Sequence, residues 1–194
     1  MIDKEKFIGF EKHEYAPIIR EKTAQLLTQL LHEKKPQKVL EIGTFLGCSA
    51  SLILQECPNC FLKTVEKDVQ NVADAKQNLE NLGFGGRFEV VCCDAIEFLE
   101  RENSEQYDFI FLDGPKGQYY KYYPLLKAML KSGGVLMADD IMYYGLVKSN
   151  EKIIHKHRSI VNNLRKFLQI ITTDAEMETT VYDFEDGVSV SIKK

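Results

Sequence analysis

The stretch KVLEIGTFLGCS, residues 38–49, decides the fold. Its apolar beginning, from Val39 to Ile42, is typical of a short buried strand, and Gly43 and Gly47 allow a tight loop before the next helix. The loop matches neither G-x-G-x-x-G nor G-x-x-x-x-G-K-[ST], so the dinucleotide and triphosphate patterns are both absent from it. We therefore expect it to bind a ligand that presents no phosphate there.

Strand and helix patterns alternate on both sides of this stretch. We predict helices over 18–35, 47–57, 68–81, 94–101, 118–130 and 150–169, and strands over 38–43, 61–66, 87–93, 107–113, 135–139, 178–184 and 187–193. This alternation is typical of an α/β fold with a parallel sheet and helices on both of its faces. Glu185-Asp186-Gly187 predicts a hairpin turn, so the last two strands should form an antiparallel edge.

The composition fits one globular domain over residues 1–194, with 1–35 as an N-terminal helical cap. The chain is 44% hydrophobic and 28% charged, and its formal net charge is -4. The sequence has no apolar run of the roughly 20 residues that cross a bilayer and no secretion signal at its N-terminus, so we expect a cytoplasmic protein without a membrane partner. We expect its five cysteines to be reduced thiols, and Cys57-Pro-Asn-Cys60 lacks the second ligand pair of a zinc site.

An acidic side chain stands at the end of each of the first five predicted strands. These residues are Glu41, Glu66, Asp94, Asp113 and the pair Asp139-Asp140. Any one of them could belong to a polar turn, but ligands of parallel α/β sheets bind at the carboxyl ends of the strands. Glu66 can accept hydrogen bonds from both hydroxyls of a ribose there. A ribose without a phosphate indicates an adenosyl compound.

These segments resemble the class I O-methyltransferases similar to catechol O-methyltransferase, most of all the small stand-alone bacterial enzymes. The stretches VLEIGTFLGCSASLIL, TVEKDVQNVADAKQNL, VVCCDAIEFL, YDFIFLDGPKGQYYKYYPLL and SGGVLMADDIMYYGLV carry the resemblance in order and spacing, over roughly residues 14–194. It implies a Rossmann-like, mostly parallel seven-stranded sheet, S-adenosylmethionine as cofactor, O-methyl transfer (EC 2.1.1.-) and a homodimer.

The resemblance also assigns roles to matching positions. The methionine half of the cofactor would be surrounded by Glu41, Gly43, Thr44, Gly47 and Ser49. Glu66 would hold the ribose, and Asp94 and Ala95 would border the adenine. The divalent cation would be ligated by Asp113, Asp139 and Asp140, and Asp113 would border the cofactor as well. Lys116 would lie beside the acceptor hydroxyl as the catalytic residue, together with Asp113.

The expected chemistry follows from these residue types. Carboxylate oxygens suit Mg²⁺, for which Mn²⁺ or Ca²⁺ could substitute, and a hydroxyl bound to such an ion loses its proton more readily. Lys116 could accept that proton if burial lowered its pKa, or it could remain charged and stabilise the oxyanion. Two positions depart from the family: Asp140 stands where relatives usually have Asn, and Tyr144 where bacterial relatives often have Arg.

The acceptor is open between three hypotheses. One is 5-hydroxyuridine in tRNA, which we favour; one is a small catechol-like aromatic; and one, of another class, is a non-catalytic adenosyl-binding regulator. Residues 148–166 are rich in Lys, Arg and His, and this stretch is either a solvated helix face or a nucleic-acid contact surface. Of the tyrosines in 119–123, most should pack on the sheet and one or two could line the acceptor pocket. Residues 15–19 resemble the lid over the cofactor in the family.

Overall fold

The computed structural model describes residues 6–12, 18–102, 104, 106–150 and 152–194. It has a seven-stranded sheet in the order β3-β2-β1-β4-β5-β7-β6. The first five strands run parallel where their pairing is defined, and β7 is antiparallel to both β5 and β6. The predicted α/β fold with a C-terminal antiparallel hairpin is therefore confirmed.

The strands are β1 Lys38–Ile42, β2 Phe61–Glu66, β3 Phe88–Cys92, β4 Tyr107–Leu112, β5 Leu130–Ala138, β6 Met177–Tyr182 and β7 Val188–Lys193. The helices are α1 Glu21–Lys34, α2 Cys48–Glu56, α3 Val69–Asn81, α4 Ala95–Arg101, α5 Tyr119–Met129 and α6 His155–Thr173. Within the part of the chain described, no helix is long and apolar enough to cross a membrane. The predicted lid falls partly on residues 15–17, which lie outside the described residues.

The chain divides into two compact units, Met1–Phe98 and Leu99–Lys194. In the first unit, β1 pairs with β2 and β2 with β3, which brings their carboxyl ends to one edge. Asp68 caps α3 by accepting from the backbone N–H groups of Gln70 and Asn71, the usual way of satisfying a helix N-terminus. Leu40, Ile53 and Leu62 are fully buried in the core of this unit.

In the second unit, β4 pairs with β5, and the C-terminal hairpin extends the sheet through β7. The strand β5 begins at Leu130, five residues before the predicted start at 135. Its pairing with β4 jumps from Tyr107↔Leu130 to Phe109↔Val135, so residues 131–134 form a bulge. Gly133 lies there at φ +77°, a conformation that glycine adopts readily. Gly133 and Gly134 both belong to this bulge.

The predicted helix over 150–169 begins later, at His155, and continues to Thr173. The residues between β5 and α6 instead form a run of turns over 141–148. Asp140, Tyr143 and Tyr144 all have positive φ values there, between 46° and 58°. Because α6 begins at His155, the lysines at 148 and 152 lie before the helix.

Candidate active site

In the first unit, Glu41 lies at the centre of a buried hydrogen-bond network beneath the glycine loop. Its Oε1 accepts from the Ser49 hydroxyl at 2.5 Å, and its Oε2 accepts from the Thr64 hydroxyl at 2.6 Å. Because Thr64 gives its single proton to Glu41, the 2.6 Å contact between the Thr44 and Thr64 hydroxyls has Thr44 as the donor. Ser49 thus donates to Glu41 directly, whereas Thr44 donates to Thr64, which in turn donates to Glu41. The lone pairs of Thr44 and Ser49 remain suited to accepting from a cationic ligand group.

The glycine loop itself requires residues with positive φ. Gly43 has φ +102° and Gly47 has φ +86°, and Gly47 donates to the Thr44 carbonyl across the turn at 2.9 Å. Phe45 between them is also left-handed, at φ +49°. Glu66, at the end of β2, stabilises that conformation because its Oε2 accepts from the Phe45 N–H at 3.0 Å.

The other oxygen of Glu66 accepts from the backbone N–H groups of Lys67 and Asp68, both at 2.9 Å. A carboxylate has about four lone-pair sites, so these three contacts leave about one site for a ligand hydroxyl. On the neighbouring strand, Cys92 is the register partner of Glu66, and Asp94 follows two residues later. Asp94 is exposed and caps the start of α4 by accepting from the Ile96 N–H at 3.0 Å. Ala95, beside it, is buried.

In the second unit, three carboxylates meet where β4 and β5 end. Leu112 pairs with Ala138, and Asp113 and Asp139 are the next residue on each strand. One oxygen each from Asp113, Asp139 and Asp140 lies within 4.8 Å of the others. Asp139 is only 4% exposed, and its Oδ1 accepts from the Asp140 N–H at 2.8 Å. The pairing of the two strands thus brings together the three residues predicted to hold a cation.

Electrostatics shows that this cluster is suited to a cation. Burial, together with the charges of Asp113 and Asp140, raises the pKa of Asp139 to about 7 from its ordinary value of 3.8. A carboxyl that keeps its proton to near neutral pH indicates an excess of negative charge around it. The donors are all hard oxygens, the ligands that Mg²⁺, Mn²⁺ and Ca²⁺ prefer. The residues therefore fit a divalent cation.

Lys116 lies against this cluster, on a 3-10 turn over Lys116–Gln118. Its ammonium donates to Asp113 and lies 3.5 Å from Asp140 Oδ2. Burial alone would lower the pKa of Lys116, but the negative charges of Asp113 and Asp140 beside the ammonium raise the pKa well above its ordinary value. In this arrangement Lys116 is a cation, which favours the oxyanion-stabilising role over the role of a base. The condition for a base, a pKa lowered by burial, is not met here.

Helix α6 restrains the turn that carries Lys116. The Asn163 side chain donates to the Gly117 carbonyl at 2.9 Å. Behind the turn, the ring of Tyr119 lies edge-on to Phe167, with centroids 5.4 Å apart. Burial raises the pKa of the Tyr119 phenol far above its ordinary value, so the phenol keeps its proton. Three of the four tyrosines in 119–123 are buried, Tyr119, Tyr122 and Tyr123, as expected for residues that pack.

The loop after Asp140 is fixed by the turn between β6 and β7. The N–H groups of Ile141 and Met142 donate to the carbonyls of Gly187 and Asp186 at 3.1 and 2.8 Å. The Tyr144 N–H donates to Asp186 Oδ1 at 2.5 Å. A β-carbon at Gly187 would lie 2.3 Å from Met142 Cγ, so any other residue there would force the Met142 side chain to shift. The Tyr144 side chain itself is 74% exposed.

The basic stretch over 148–166 divides into engaged and exposed side chains. Arg165 donates to the carbonyls of Leu146, Val147 and Ser149 and so holds the loop. Lys148 pairs with Asp183 at 2.6 Å, and the Lys166 ammonium lies 5.6 Å from the Tyr120 ring centroid. Lys152, His155, Lys156 and Arg158 are exposed near the start of α6. Lys148, Arg165 and Lys166 are exposed as well, although each has a partner within the protein.

Several residues at these sites were missed by the sequence analysis. Thr64 completes the Glu41 network, and Asn163, Arg165 and Asp186 fix the loops around the acidic cluster. Thr64 carries a signal that sequence reasoning could have used, since it is a polar residue at an inward-facing position of a short strand. Asn163, Arg165 and Asp186 carry none, because their partners are backbone carbonyls and N–H groups far away in the chain.

Comparison with known proteins shows which group of enzymes shares this arrangement. The O-methyltransferase family matches residues 9–194. The chain belongs to the O-methyltransferase family. The enzyme class predicted from the sequence, S-adenosylmethionine-dependent O-methyl transfer (EC 2.1.1.-), is thereby confirmed.

Individual relatives of this O-methyltransferase agree with that assignment. This chain is 26% identical over 182 residues to the catechol O-methyltransferase of Niastella koreensis, and the match covers 89% of this chain and 79% of that protein. It is 27% identical to the bovine catechol O-methyltransferase over 87% of this chain and 65% of that protein. The crystal structure of an O-methyltransferase from Bacillus cereus in complex with SAH superposes with a TM-score of 0.82 at 23% identity, over 93% of this chain and 84% of that one.

Proposed function

We propose that this O-methyltransferase moves the methyl group of S-adenosylmethionine to a hydroxyl of its acceptor with the help of a divalent cation, Mg²⁺ in the first place. The convergence of Asp113, Asp139 and Asp140 with Lys116 at the ends of β4 and β5 carries this proposal. A non-catalytic adenosyl-binding protein would need neither a cation cluster nor a lysine placed on it.

The residues of the first unit would hold the cofactor. The ammonium of its methionine part would donate to the lone pairs of Thr44 and Ser49, because the Thr44 proton is donated to Thr64 and the Ser49 proton to Glu41. Gly43 and Gly47 would let the backbone approach the ligand. Glu66 would accept from the ribose hydroxyls, and Asp94 and Ala95 would border the adenine. The Bacillus cereus relative, which holds SAH, supports a site for an adenosyl ligand.

The residues of the second unit would activate the acceptor. Asp113, Asp139 and Asp140 would hold the cation, which when bound lowers the pKa of an acceptor hydroxyl and orients it. Asp113 and Asp140 fix the Lys116 ammonium beside the cluster. A positive charge held there stabilises a developing oxyanion without having to reorganise. The same carboxylate charges raise the pKa of Lys116, and a bound cation would offset them, so the role of a base needs a separate test.

Removal of the cation tests the proposal directly. We expect excess chelator to abolish methyl transfer and added Mg²⁺ or Mn²⁺ to restore it, measured with labelled cofactor. Asp113→Asn and Asp139→Asn should raise the cation concentration needed for half-maximal rate while circular dichroism stays unchanged. Full activity in excess chelator would contradict the cation's role.

For the acceptor, we propose 5-hydroxyuridine in tRNA. The exposed Tyr144 offers a ring on which a base can stack, and Lys152, Lys156 and Arg158 offer cations for phosphates. A small catechol-like aromatic is the second candidate, favoured by the catechol O-methyltransferases among the relatives. Methyl transfer from labelled cofactor to total RNA and, separately, to a panel of catechols separates the two. Labelling of the catechols alone would contradict the tRNA proposal.

A further inference from the structure

The hydroxyl of Tyr119 links the two strand ends that carry the acidic cluster. It lies 3.1 Å from the Leu112 carbonyl oxygen and 3.3 Å from the Asp139 carbonyl oxygen, and the phenol is the donor to both. Leu112 immediately precedes Asp113, and Asp139 is itself part of the cluster. One buried proton is thus shared between the backbone positions from which two of the three carboxylates extend.

The ring of Tyr119 is fixed from two sides. Its edge-on contact with Phe167 anchors it to α6, and the Lys116 ammonium lies 5.6 Å from its centroid. The side chain is fully buried. A phenol with so little freedom holds its two acceptors at a set separation. The β4–β5 ladder contributes a further bond to the same carbonyl, since the Asp139 N–H donates to Leu112 O at 3.0 Å.

We infer that Tyr119 is a positioning residue for the cation, because its hydroxyl sets the spacing of the backbone at Asp113 and Asp139. Cation binding demands carboxylate oxygens at narrowly defined distances from the ion. Groups that orient metal ligands without touching the metal typically change its affinity by roughly 10- to 100-fold when removed. The inference rests on the proposed cation site and adds to it a residue that touches neither cation nor substrate.

The experiment is Tyr119→Phe, which removes the hydroxyl and keeps the ring. We expect the dissociation constant for Mn²⁺, measured by electron paramagnetic resonance of the free ion, to rise roughly tenfold. The maximal rate at saturating Mn²⁺ should stay within about twofold of wild type, because the cluster and Lys116 remain in place. Placing 4-aminophenylalanine at 119, which restores a donor at the same position, should recover most of the affinity.

Tyr123→Phe is the matched control. Tyr123 lies on the same helix, is also buried, and contacts the same Phe167 ring edge-on with the ring centroids 6.2 Å apart. Its hydroxyl donates instead to Asp174 at 2.8 Å, away from the cluster. Tyr123→Phe should lower thermal stability and leave Mn²⁺ affinity unchanged, whereas a general loosening of α5 would weaken Mn²⁺ binding in both variants.

The possible outcomes distinguish a failure of the proposed cation site from a failure of the proposed role of Tyr119. If the wild-type chain binds no Mn²⁺, the cation site and the role of Tyr119 both fail. If wild type binds Mn²⁺ and Tyr119→Phe binds it equally well, only the role of Tyr119 is overturned. Should Tyr119→Phe not fold, 4-fluorophenylalanine at 119 replaces it, because it fills the space of the hydroxyl without a proton to donate. The results expected of that variant, and the results that would contradict the role of Tyr119, are those given for Tyr119→Phe.

Discussion

Lys116 is the proposed catalytic residue, and its ammonium is held by Asp113 and Asp140. We expect Lys116→Ala to lower kcat by roughly 10²–10⁴, the range of residues that act on the reacting proton or charge. Lys116→Arg should retain part of the rate if the lysine acts only as a charge, and none of it if the lysine is a base, because guanidinium does not deprotonate. Single-turnover rates measure both.

Lys121→Ala is the control for this series. Lys121 is exposed on the neighbouring helix, where its ammonium lies 5.9 Å from the Tyr120 ring. The Lys121→Ala variant should keep the wild-type rate. A normal rate for Lys116→Ala would end the catalytic assignment and leave Lys116 as a partner of Asp113 in a structural ion pair.

Glu66 presents a second test at this scale. We expect Glu66→Ala to weaken S-adenosylmethionine binding more than about tenfold, because both the ribose contacts and the support of Phe45 are lost. The affinity of Glu66→Gln, which keeps one acceptor oxygen, should lie between those of the wild type and Glu66→Ala. Isothermal titration gives the affinities, and Glu89→Ala on the exposed side of β3 is the control. Unchanged affinity in Glu66→Ala would remove Glu66 from the cofactor site.

At the residue level, the sequence predicted the cluster and missed what positions it. Asp113 and Asp139 could be placed together because parallel strands bring their carboxyl ends to one edge of the sheet. The Tyr119 bridge could not be predicted, because it joins a helix residue to two backbone carbonyls and no residue type signals such a partner. The pKa of Lys116 was equally out of reach, since its direction depends on the balance between burial and two charges.

Among the elements, the negative charge of Asp174 stabilises the junction of α5, α6 and β6. Asp174, directly after α6, accepts from the Lys127 ammonium at 2.6 Å and from the Tyr123 hydroxyl at 2.8 Å. The Lys127 hydrogen bond lowers the pKa of Asp174 from 3.8 to about 2. A carboxyl with a depressed pKa stabilises the folded state above its ordinary pKa. That contribution is lost as the pH falls from about 4 to about 2.

We therefore expect Asp174→Asn to lower the melting temperature by about 2–4 °C at pH 7, as for a loss of about 1 kcal/mol in a chain of this size. The difference from wild type should narrow as the pH falls below about 4. Asp183→Asn, which removes the exposed partner of Lys148, should change little at either pH. A difference for Asp174→Asn that is constant with pH would contradict the ionic origin of its effect.

The periodicity of apolar residues predicted some boundaries of helices and strands and failed to predict others. The strands β2 and β6–β7 and the helices up to α5 follow the predicted ranges within a few residues, because their apolar patterns are strong. The bulge in β5 includes Gly133 at φ +77°, and the run of turns before α6 includes Tyr143 and Tyr144 at positive φ, a conformation that their residue type does not predict. The loop is stabilised by Arg165 from within the helix that follows it, a long-range contact that a local pattern cannot contain.

For the whole molecule, the net charge of -4 disfavours binding of a nucleic acid, whereas the exposed cations near α6 favour it. If the acceptor is tRNA, its KM should rise steeply between 50 and 200 mM salt, because each phosphate contact releases condensed counterions. A doubly substituted Lys152→Glu, Lys156→Glu chain should show a weaker salt dependence and a higher KM for RNA, with S-adenosylmethionine affinity unchanged. Salt-independent methylation of RNA, or equal KM values for the two chains, would contradict this surface.

The backbone at Tyr144 is held by Asp186 while its side chain faces outward. If Tyr144 contacts the acceptor, as proposed above, a substitution at 144 would change the surface offered to the acceptor and leave the backbone at Asp139, five residues earlier, in place. The left-handed conformation at 144 favours Gly, Asn and Asp over β-branched residues. A saturation library at this position would be enriched in those residues among its well-folded members. Acceptor range could then be selected from a small, physically defined set of variants.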